Sequence, residues 1–290
     1  MLKSERKPSW LKIKISGGEK YSEIKKLVQD NNLHTICSSG RCPNIGECWS
    51  RGAATFMILG DICTRQCKFC ATKTGKPLPI DLTEPHSIAK SVKIMKLKHG
   101  VITSVDRDDL PDKGAKHWAN VISEIKKVNP NTIIEVLLPD FDAIPELIKI
   151  VANAKPDILS HNIETIARLT PTIRSRAKYD VSLQTLKLFS ETGIDTKSGI
   201  MVGLGETEQE VIETMKDLFN AGCRLLTIGQ YLQPNPENIE VAEYIHPDTF
   251  AKYKKIAIEM GYISAECGPL VRSSYMAENS YQNSKKWEVM

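Results

Sequence analysis

The chain contains 290 residues, of which 41% are hydrophobic, and its formal net charge at pH 7 is +4. A chain of this length can bury the core of one large domain or of two modest ones. Its basic residues alternate with acidic ones and form no basic stripe, so the composition argues against a nucleic-acid-binding protein. No apolar run approaches the roughly 18 residues of a membrane span, and the first residues lack the apolar centre of a signal peptide, so we expect a cytoplasmic protein.

The N-terminal segment, residues 1–54, shows little regular periodicity. A short helix is predicted over residues 21–30, and residues 37–48 carry Gly40, Pro43 and Gly46, which favour a loop. The segment is therefore predicted to form an arm that packs on the body of the protein.

From residue 55 onward, apolar runs alternate with amphipathic helical segments. The predicted strands cover residues 55–59, 100–105, 132–138, 157–160, 179–183, 197–202 and 225–229. The clearest predicted helices cover residues 143–154, 208–222 and 248–261. Strands separated by helices in this way are typical of repeated βα units with a parallel sheet.

This repeat fits either a doubly wound sheet or a barrel. No Gly-x-Gly-x-x-Gly motif follows the first predicted strand, which disfavours a nucleotide-binding doubly wound fold. We therefore predict an α/β fold with a full or partial (β/α) barrel over residues 55–262, whose chemistry lies on the loops after the carboxyl ends of the strands. Residues 263–290 are predicted to be a polar C-terminal extension.

Six of the eight cysteines fall in two close groups. We call Cys37, Cys42 and Cys48 the arm triad, and Cys63, Cys67 and Cys70 the loop triad. Each iron of a cubane 4Fe–4S cluster takes one external ligand, so three cysteines leave one iron open to a substrate or to an unusual fourth ligand. Clustered thiols in the reducing cytosol favour metal over disulfides. Two triads therefore predict two clusters with different tasks.

The loop triad follows the first predicted strand, where a barrel keeps its chemistry. Half of a zinc knuckle is the alternative, but zinc usually takes four closed ligands in two pairs. The Cys-x3-Cys-x2-Cys spacing, with Phe69 before the last cysteine, resembles the radical S-adenosylmethionine (SAM) superfamily. The resemblance implies that the open iron binds the methionine part of SAM, and that one electron then releases a 5′-deoxyadenosyl radical able to remove hydrogen from an unactivated C–H bond.

Other motifs match the SAM site of that superfamily. The run GIMVGLGE carries Gly203, Gly205 and Glu206 and resembles the glycine-rich strand of the superfamily, although an ordinary strand-to-helix turn is an alternative. The run HNIE follows a predicted strand and offers Asn162 and Glu164 to the amine or ribose of SAM, although Asn162 could instead cap a helix. The acidic run at residues 106–109 also follows a strand, and its alternative is a solvated charge cluster.

The arm triad has no fourth thiolate close to it in the sequence. Cys223 and Cys267 lie in apolar surroundings, where buried small hydrophobic residues are the ordinary interpretation. Each is also a candidate for a distant fourth ligand, as are the hydroxyl groups at residues 272–275, which read RSSY.

Several motifs, taken with both triads, resemble the lipoyl synthase family over nearly the whole chain. They are ATFMILGDICTRQCKFC, VITSVDRDDL, EVLLPDF, HNIET, TKSGIMVGLGET, LLTIGQYLQP and GPLVRSSY. In that family a serine of RSSY caps the auxiliary cluster, which implies Ser274 here, with Ser273 as the second choice. An alkoxide is a harder ligand than a thiolate and should leave a sulfide-rich cluster more easily. The resemblance implies that this cluster is consumed as the sulfur donor.

The same resemblance implies a reaction and its partners. The substrate is an octanoyl group on a lysine of a lipoyl carrier domain, such as an acyltransferase subunit of a 2-oxoacid dehydrogenase or the glycine cleavage H protein. Two SAM molecules support sulfur insertion at carbons 6 and 8. Further partners are an electron donor such as ferredoxin or flavodoxin and an iron–sulfur carrier that rebuilds the auxiliary cluster, with no nucleic acid and no membrane.

The two clusters must face each other across the acyl chain in such an enzyme. The N-terminal and C-terminal extensions are therefore expected to cover one mouth of the barrel. Because a misplaced radical reacts wrongly, positioning of the acyl chain should matter to within about an ångström.

Two other protein classes compete with this interpretation. A methylthiotransferase predicts widely spaced N-terminal cysteines and an appended RNA-binding barrel, and the sequence has neither. A zinc-binding adaptor predicts a colourless protein without iron, so metal analysis separates it from a protein with two clusters.

Some positions depart from the family or carry no readable role. Residues 235–238 read Asn-Pro-Glu-Asn where many family members have basic residues, which puts an anion contact there in doubt. Leu159 and Ser160 stand before His161 where an aromatic-polar pair is common, and only local packing is expected to differ. Surface or capping roles are expected for five histidines, which are His34, His86, His99, His117 and His246.

Overall fold

The computed structural model describes residues 7–13, 17–31, 33–278 and 281. Its α-helices are α1 (Glu19–Asp30), α2 (Ile36–Ser39), α3 (Ile45–Ser50), α4 (Glu84–Ile94), α5 (Ala115–Val128), α6 (Pro145–Asn153), α7 (Thr170–Ile173), α8 (Tyr179–Ser190), α9 (Glu208–Asn220) and α10 (Pro247–Met260). Its strands are β1 (His34–Thr35), β2 (Thr55–Ile58), β3 (Ile62–Cys63), β4 (Lys73–Thr74), β5 (His99–Ser104), β6 (Ile133–Leu137), β7 (Ile158–Ser160), β8 (Asp195–Val202), β9 (Leu225–Gln230) and β10 (Ser264–Gly268). Short 3₁₀ turns lie at Ser9–Leu11 and Phe141–Ala143.

Eight of the described strands form one sheet in the order β1-β2-β5-β6-β7-β8-β9-β10. Every neighbouring pair from β2 to β10 is parallel, and β1 joins the edge as an antiparallel strand. β3 and β4 form a separate parallel pair next to the loop triad. Strands that follow one another in chain order, with helices between them, are the pattern of a (β/α) barrel. Because β1 and β10 do not pair with each other in the described part of the chain, this barrel is the predicted partial one.

A layer of helices covers the outer face of the sheet. The helices α4, α5, α6, α8, α9 and α10 each pack against the next one in that order. In α5, Trp118, Val121, Ile122 and Ile125 recur at helical spacing and are all buried. Full burial of one such side chain contributes about 1.5–3 kcal/mol, so this outer face is where the fold gains its stability.

The inner face of the same strands carries polar and small residues. Side chains alternate along a strand, so Glu135 points away from the helices that Ile134 and Val136 contact. Glu135 and Lys197 have side chains that are each 1% exposed, and Lys197 Nζ lies 2.8 Å from Glu135 Oε1. A buried charge is tolerated only with a partner, and each of these two side chains provides the partner of the other.

The N-terminal arm and the C-terminal extension contact each other. Asn44 Nδ2 donates a hydrogen bond to the carbonyl of Leu270 at 2.7 Å, and Tyr275 Oη donates to Glu47 Oε1 at 3.2 Å. The cavity beside these contacts is lined by Thr55, the first residue of β2. The two extensions therefore close the mouth at the amino ends of β2 and β5, opposite to the mouth where the loop triad follows β2.

Most predicted elements are confirmed. The four predicted helices and six of the seven predicted strands agree with the structure to within two residues at each end. In the part of the chain that the structure describes, no helix is both long enough and apolar enough to cross a membrane.

Three expectations about secondary structure are wrong. Residues 179–183 begin α8, in which Ser182, Leu186 and Phe189 are buried at helical spacing that a five-residue window does not reveal. Residues 37–48 are not a loop throughout, because α2 and α3 occupy both ends. The polar extension predicted from residue 263 onward is not irregular throughout, because residues 264–268 form β10, which pairs with β9 in parallel register.

Candidate active site

Cys63 of the loop triad ends β3, just beyond the carboxyl end of β2. Its sulfur accepts hydrogen bonds from two backbone N–H groups, those of Arg65 at 3.4 Å and Asp106 at 3.3 Å. Hydrogen bonds to cysteine sulfur are a normal part of the surroundings of an iron–sulfur cluster. The loops after β2 and β5 therefore meet at Cys63 and provide donors that fit a cluster thiolate.

The other two cysteines of the loop triad are more open. Cys70 Sγ accepts a hydrogen bond from the N–H of Thr72 at 3.5 Å, and Cys67 Sγ lies 4.0 Å from a serine hydroxyl of a neighbouring loop. Asn238 Nδ2 donates to the carbonyls of Lys68 and Cys70 at 3.1 and 2.9 Å. The departure from the family pattern at residues 235–238 therefore lies in a segment that braces the loop triad.

Arg65, between Cys63 and Cys67, anchors the triad loop to the ends of two other strands. Its guanidinium donates two hydrogen bonds to Asp108 and two to Asp140, all between 2.8 and 2.9 Å. Burial alone would raise the pKa of Asp140, but the hydrogen bonds and charge of Arg65 hold that pKa well below its ordinary value. Bidentate pairs of this kind fix geometry as well as charge. The acidic run at residues 106–109 is thus part of a packed ion-pair network and is not a solvated group of charges.

Burial acts on the acidity of several of these thiols. Burial raises the pKa of Cys63 and of Cys48 to about 12. A thiol must lose its proton to bind iron, and the metal's own charge drives that loss. Among the described residues, no three His, Cys, Asp or Glu side chains converge closely enough to hold a single metal ion.

The HNIE segment continues β7 along β8. Asn162 Nδ2 donates to Glu164 Oε1 at 3.2 Å and to Ser273 Oγ at 2.7 Å, so Asn162 does not cap a helix. Burial raises the pKa of Glu164, an effect partly opposed by the charge of Arg174. A Cβ on Gly199 would lie 2.8 Å from Asn162 Oδ1, so the glycine lets this amide face the barrel interior.

His161, the first residue of the HNIE run, forms hydrogen bonds within the protein through both ring nitrogens. Its Nδ1 lies 2.9 Å from the carbonyl of Leu138, and its Nε2 lies 3.0 Å from Ser182 Oγ. A carbonyl only accepts, so Nδ1 carries the proton and Nε2 accepts from the serine. Burial, followed by the charge of Arg174, lowers the pKa of His161 to about 4. His161 is therefore a neutral structural residue that joins β7 to α8.

The glycine-rich run forms a tight loop between β8 and α9. Gly203 has φ +95°, and a Cβ there would lie 2.1 Å from Gln230 Nε2, so only glycine fits. The carboxylate of Glu206 turns back and accepts hydrogen bonds from the backbone N–H groups of Gly203 and Leu204. Gly205 also has a positive φ, and Thr207 starts α9 with a capping box. Glu206 thus fixes the conformation of this loop at the carboxyl end of β8 through two backbone hydrogen bonds.

The arm triad forms a separate small core outside the barrel. Cys37 packs with Ile24, Trp49 and Ala54 among buried residues, and all three cysteines of the triad line one cavity of about 330 Å³. Burial raises the pKa of the Cys37 thiol, an effect that the nearby backbone of Thr55 partly opposes. Three cysteines on one cavity wall are a donor set that fits an iron–sulfur cluster.

The two serines of RSSY face different surroundings. Ser274 lines the arm-triad cavity, as does Arg272. Ser273 Oγ instead accepts the hydrogen bond from Asn162. Tyr275 reaches back to Glu47 of the arm. The structure therefore brings Ser274, and not Ser273, to the cavity of the arm triad.

The remaining cysteines do not join either triad. Cys223 is fully buried and its thiol donates to the carbonyls of Thr196 and Leu225 at 3.5 and 3.2 Å, as expected for a buried small residue. Cys267 lies on β10, and neither of these cysteines lines the arm-triad cavity.

Positions along β5 give an estimate of the distance between the two triads. Val101 lines the arm-triad cavity, and Asp106, five residues later, binds Cys63 through its backbone N–H. At about 3.3 Å per residue, these two points are roughly 17 Å apart along the strand. The inner face of the barrel lies between the two triads.

Comparison with known proteins identifies the family. A profile of the radical SAM superfamily matches residues 57–218, and a profile of the N-terminal domain of lipoyl synthase of the radical SAM family matches residues 2–42. The lipoyl synthase of Parabacteroides distasonis is 58% identical over 273 residues, which cover 94% of this chain and 97% of the relative. This chain belongs to the lipoyl synthase family. The lipoyl synthase of Bacteroides thetaiotaomicron is 59% identical, with 94% of this chain and 97% of the relative covered. The lipoyl synthase of Treponema denticola is 54% identical, with 95% of each chain covered.

Solved structures support the fold. SuiB from Streptococcus suis bound to S-adenosylmethionine aligns with a TM-score of 0.59 at 10% identity, covering 77% of this chain. The chain spans about half the length of that protein, since 54% of it is covered. Methylornithine synthase aligns with a TM-score of 0.56 at 12% identity, covering 84% of this chain and 75% of the other. At these identities the likeness establishes the partial barrel alone.

Membership of the lipoyl synthase family brings SAM and two 4Fe–4S clusters as cofactors. Both triads fit such groups on the chemistry of their donors, since two backbone N–H groups bind Cys63 Sγ and all three cysteines of the arm triad line one cavity.

Several residues of the site were not singled out from the sequence. Arg65 and Asn238 bind groups on loops that are far away in the chain, so no local pattern marks them; the departure at residues 235–238 was the one available signal for Asn238. A surface or capping role is expected for His99 and His117, but their side chains are 6% and 4% exposed, and each lies beside a glutamate. His246 caps α10, as expected.

Proposed function

We propose that this chain inserts sulfur at carbons 6 and 8 of an octanoyl group attached to a lysine of a lipoyl carrier domain. The observation that carries the proposal is the placement of two cysteine triads at opposite mouths of one barrel in a chain of the lipoyl synthase family. When bound, the SAM-binding cluster and SAM supply a deoxyadenosyl radical, and the auxiliary cluster supplies the sulfur.

The proposed ligands follow from the surroundings of each triad. Cys63, Cys67 and Cys70 would hold the SAM-binding cluster at the carboxyl ends of the strands. Cys37, Cys42 and Cys48 would hold the auxiliary cluster, and Ser274 would complete it. The position of Ser274 on the arm-triad cavity, with Ser273 bonded elsewhere, supports this choice.

The proposed SAM-binding residues line the same end of the barrel. Asn162 and Glu164 would present an amide and a carboxyl group to the amine or ribose, and Gly203 and Gly205 would allow the cofactor to approach the backbone. Glu206 already accepts two backbone hydrogen bonds, so its proposed task is to hold the glycine loop in shape.

The fixed barrel positions the acyl chain between the two mouths. Radical chemistry needs the reacting carbon within contact distance of the radical source, and exclusion of water protects the intermediate. The outer helices and the arm keep the strands rigid, while the two extensions close the far mouth. These residues bind, orient and enclose the acyl chain, and none of them is needed as an acid or base in this proposal.

The organisation and partners are proposed together with the reaction. Residues 1–54 would form the arm of the auxiliary cluster, residues 55–262 the barrel, and residues 263–290 the extension whose first strand, β10, joins the barrel sheet. Residues 279–280 and 282–290 lie outside the described residues. The acyltransferase subunits of 2-oxoacid dehydrogenases and the glycine cleavage H protein would supply the octanoyl group. A ferredoxin or flavodoxin would supply electrons, an iron–sulfur carrier would rebuild the cluster, and the cytoplasm would be the site of action.

The deciding experiment is a single anaerobic incubation. The chain, reconstituted with iron and sulfide, is mixed with SAM, a reductant and an octanoylated carrier peptide, and the peptide is analysed by mass spectrometry. Addition of two sulfur atoms is expected, together with deoxyadenosine. Matched mixtures without SAM, or with an unacylated peptide, should give no added sulfur. A protein that binds two clusters and cleaves SAM but leaves the octanoyl peptide unchanged would refute the proposed reaction.

A further inference from the structure

Basic side chains surround the opening of the arm-triad cavity. Among the described residues that line this cavity, five are lysine or arginine and one, Glu278, is acidic. Four of the five are exposed, and they come from α1, from the end of α3 and from the turn between α4 and β5. The formal net charge of the whole chain is only +4, so this excess is local to the opening. We call these four exposed residues the basic rim, and they are Lys20, Arg51, Lys96 and Lys98.

The three lysines of the basic rim carry charge that the described part of the chain does not neutralise. Arg51 Nη1 lies 3.5 Å from Glu47 Oε1, whereas the lysines have no ion-pair partner among the described residues. A Cβ on Gly52 would lie 2.8 Å from Lys20 Nζ, so this ammonium group lies against the backbone that follows α3. Unpaired cations at one opening produce a positive potential there.

Lys96 occupies its position in the rim at a conformational cost. The N–H of Lys96 donates to the carbonyl of Lys93 at 3.1 Å and that of Leu97 to the carbonyl of Val92 at 3.2 Å, which is a Schellman end of α4. Lys96 has φ +52°, a left-handed conformation that glycine adopts without strain. The backbone alone would thus favour glycine, so the lysine is best explained by its side chain at the cavity opening. Lys96→Gly therefore removes one rim charge and relaxes the backbone.

A second cavity, beside β3, has a lining of the opposite charge. It is lined by Asp61, Asp81 and Glu84, with no lysine or arginine among its described lining residues. Opposite charges attract an approaching partner and like charges repel it. An anionic partner is therefore favoured at the opening of the arm-triad cavity and disfavoured at the cavity beside β3.

The arm triad indicates what an anionic partner would deliver. Cys42 and Cys48 are half-buried and line the cavity, so a group that binds their sulfurs has to pass the basic rim. A cluster that is consumed as a sulfur donor has to be replaced at these sulfurs. A 4Fe–4S core with thiolate ligands carries net negative charge, so the rim attracts the core together with acidic side chains around it.

We propose that the basic rim is the docking surface for a cluster-donor protein whose 4Fe–4S cluster is surrounded by acidic side chains. This inference rests on the proposed function of the arm triad. The core passes to this chain intact and without a change of oxidation state. Each bond between iron and a donor thiolate that breaks is replaced by a bond to an arm-triad sulfur or to Ser274 Oγ, and the proton of that group passes to the released donor thiolate.

The test measures cluster transfer to the full chain under anaerobic conditions, with Cys67→Ala in the background so that only the arm triad accepts a cluster. The probes are two synthetic peptides that hold a 4Fe–4S cluster on the same four cysteines, flanked by glutamates in one and by glutamines in the other. Iron bound to the chain is measured at intervals after rapid removal of the peptide. The glutamate peptide should transfer its cluster about tenfold faster than the glutamine peptide. This advantage should disappear in about 1 M salt, which screens exposed charges.

Two triple variants with the same change of net charge locate the effect. The rim variant should lose the advantage of the glutamate peptide, and the control variant, on exposed lysines of α6, α8 and α9, should keep it. The glutamine peptide should be affected far less by either variant. Lys96→Gly alone should leave the free energy of unfolding at least as large and give an intermediate rate with the glutamate peptide. The rim variant is Lys20→Gln, Lys96→Gln and Lys98→Gln, and the control variant is Lys149→Gln, Lys187→Gln and Lys216→Gln.

The outcomes separate this inference from the proposed function. If the background fills with about four irons but the rim and control variants accept clusters from the glutamate peptide equally fast, the inference is overturned and the arm-triad assignment stands. If neither the peptides nor iron and sulfide fill the arm triad, that assignment fails and the inference falls with it. Should the rim variant not fold, Lys96→Gly and Lys98→Gln decide separately, and background rates in both would reject the proposal.

An acidic acyl carrier is the competing occupant of the basic rim. The rim variant is therefore also made with the loop triad intact and incubated with SAM, a reductant and an octanoylated peptide flanked by glutamates. Sulfur insertion in the first turnover should match that of the control variant, since the cluster is already in place. Slower insertion together with unchanged cluster transfer would assign the rim to the acyl carrier and reject the proposal.

Discussion

The two cysteine triads are held by opposite kinds of structure. The loop triad lies at the ends of parallel strands, and Arg65 ties its loop to Asp108 and Asp140 with four charged hydrogen bonds. The arm triad lies in a small apolar core outside the barrel, between short helices and the C-terminal extension. Its connection to that extension runs through single hydrogen bonds such as Asn44 to Leu270.

This difference corresponds to the two proposed tasks. A cluster that cleaves SAM repeatedly needs an unchanging position relative to its substrate, and a buried bidentate network provides one. A cluster that is consumed must be rebuilt, and a site closed by single hydrogen bonds, without a buried bidentate ion pair, can reopen. Substitutions in the two regions should therefore have different consequences.

The largest effect is expected from Cys67→Ala in the loop triad. Loss of one ligand removes the SAM-binding cluster, so deoxyadenosine formation should fall below detection while the arm triad still binds about four irons. Deoxyadenosine is measured by chromatography after anaerobic incubation with SAM and reductant. Undiminished deoxyadenosine would remove the loop triad from the proposed radical site.

Cys37→Ala is the matching change in the arm triad. SAM cleavage should persist, but sulfur insertion into the octanoyl peptide should be abolished, and iron should fall from about eight to about four atoms per chain. Mass spectrometry of the peptide and metal analysis measure the two results. A variant that still inserts sulfur would show that the arm triad is not the donor site.

Asp140→Asn tests the anchoring of the loop triad. Breaking one partner of a buried ion pair should lower the free energy of unfolding by about 3–5 kcal/mol, measured by urea denaturation of the metal-free, reduced chain. Asp109→Asn is the control on a neighbouring loop, because Asp109 pairs with Arg107 but is 38% exposed, and should cost less than about 1 kcal/mol. Equal effects of the two changes would contradict the anchoring role.

The same network predicts a dependence on pH. Arg65 lowers the pKa of Asp140 and Asp108 in the folded chain, despite burial that acts in the opposite direction. A carboxylate with a lowered pKa contributes stability above its ordinary pKa and loses that contribution as the pH falls through the lowered value. The stability of the wild-type chain should thus fall more steeply in acid than that of Asp140→Asn. Parallel curves would show that Asp140 is not ionised in the folded state.

The smallest effects separate Ser274 from Ser273. Ser274→Ala should leave stability unchanged and weaken iron retention at the arm triad by about tenfold. Ser273→Ala removes the hydrogen bond from Asn162 and should cost about 0.5–1.5 kcal/mol of stability without changing iron retention. Reversal of this pattern would transfer the proposed cluster contact to Ser273.

Local patterns in the sequence were enough to predict the barrel. The strands at residues 55–59 and 132–138 are short apolar runs between turn signals, and such runs are readable without tertiary information. The strand β10 was missed because Ser264–Gly268 has no β-branched residue and gains its place only by pairing with β9. Residues 179–183 show the reverse error, since a five-residue window cannot distinguish the start of a helix from a strand.

The cysteines of the site could be predicted because binding of an iron–sulfur cluster requires cysteines at a short spacing in the sequence. Arg65 and Asp140 are 75 positions apart and meet only because β2, β5 and β6 end at the same mouth. The burial of His99 could not be predicted, because it depends on which face of β5 points inward. The sequence alone does not indicate this for the first residue of a strand.

The cavity of the arm triad is bounded by residues from both extremes of the chain, 37–55 and 272–278. During translation the loop triad and the strands that support it leave the ribosome long before residue 274 is made. The site around Cys63 can therefore mature on a nascent chain, whereas the other site has no complete wall until synthesis has passed residue 278. Any factor that loads iron and sulfide there must act after residue 278 has been made, and fragments that end before residue 272 should carry a single cluster at most.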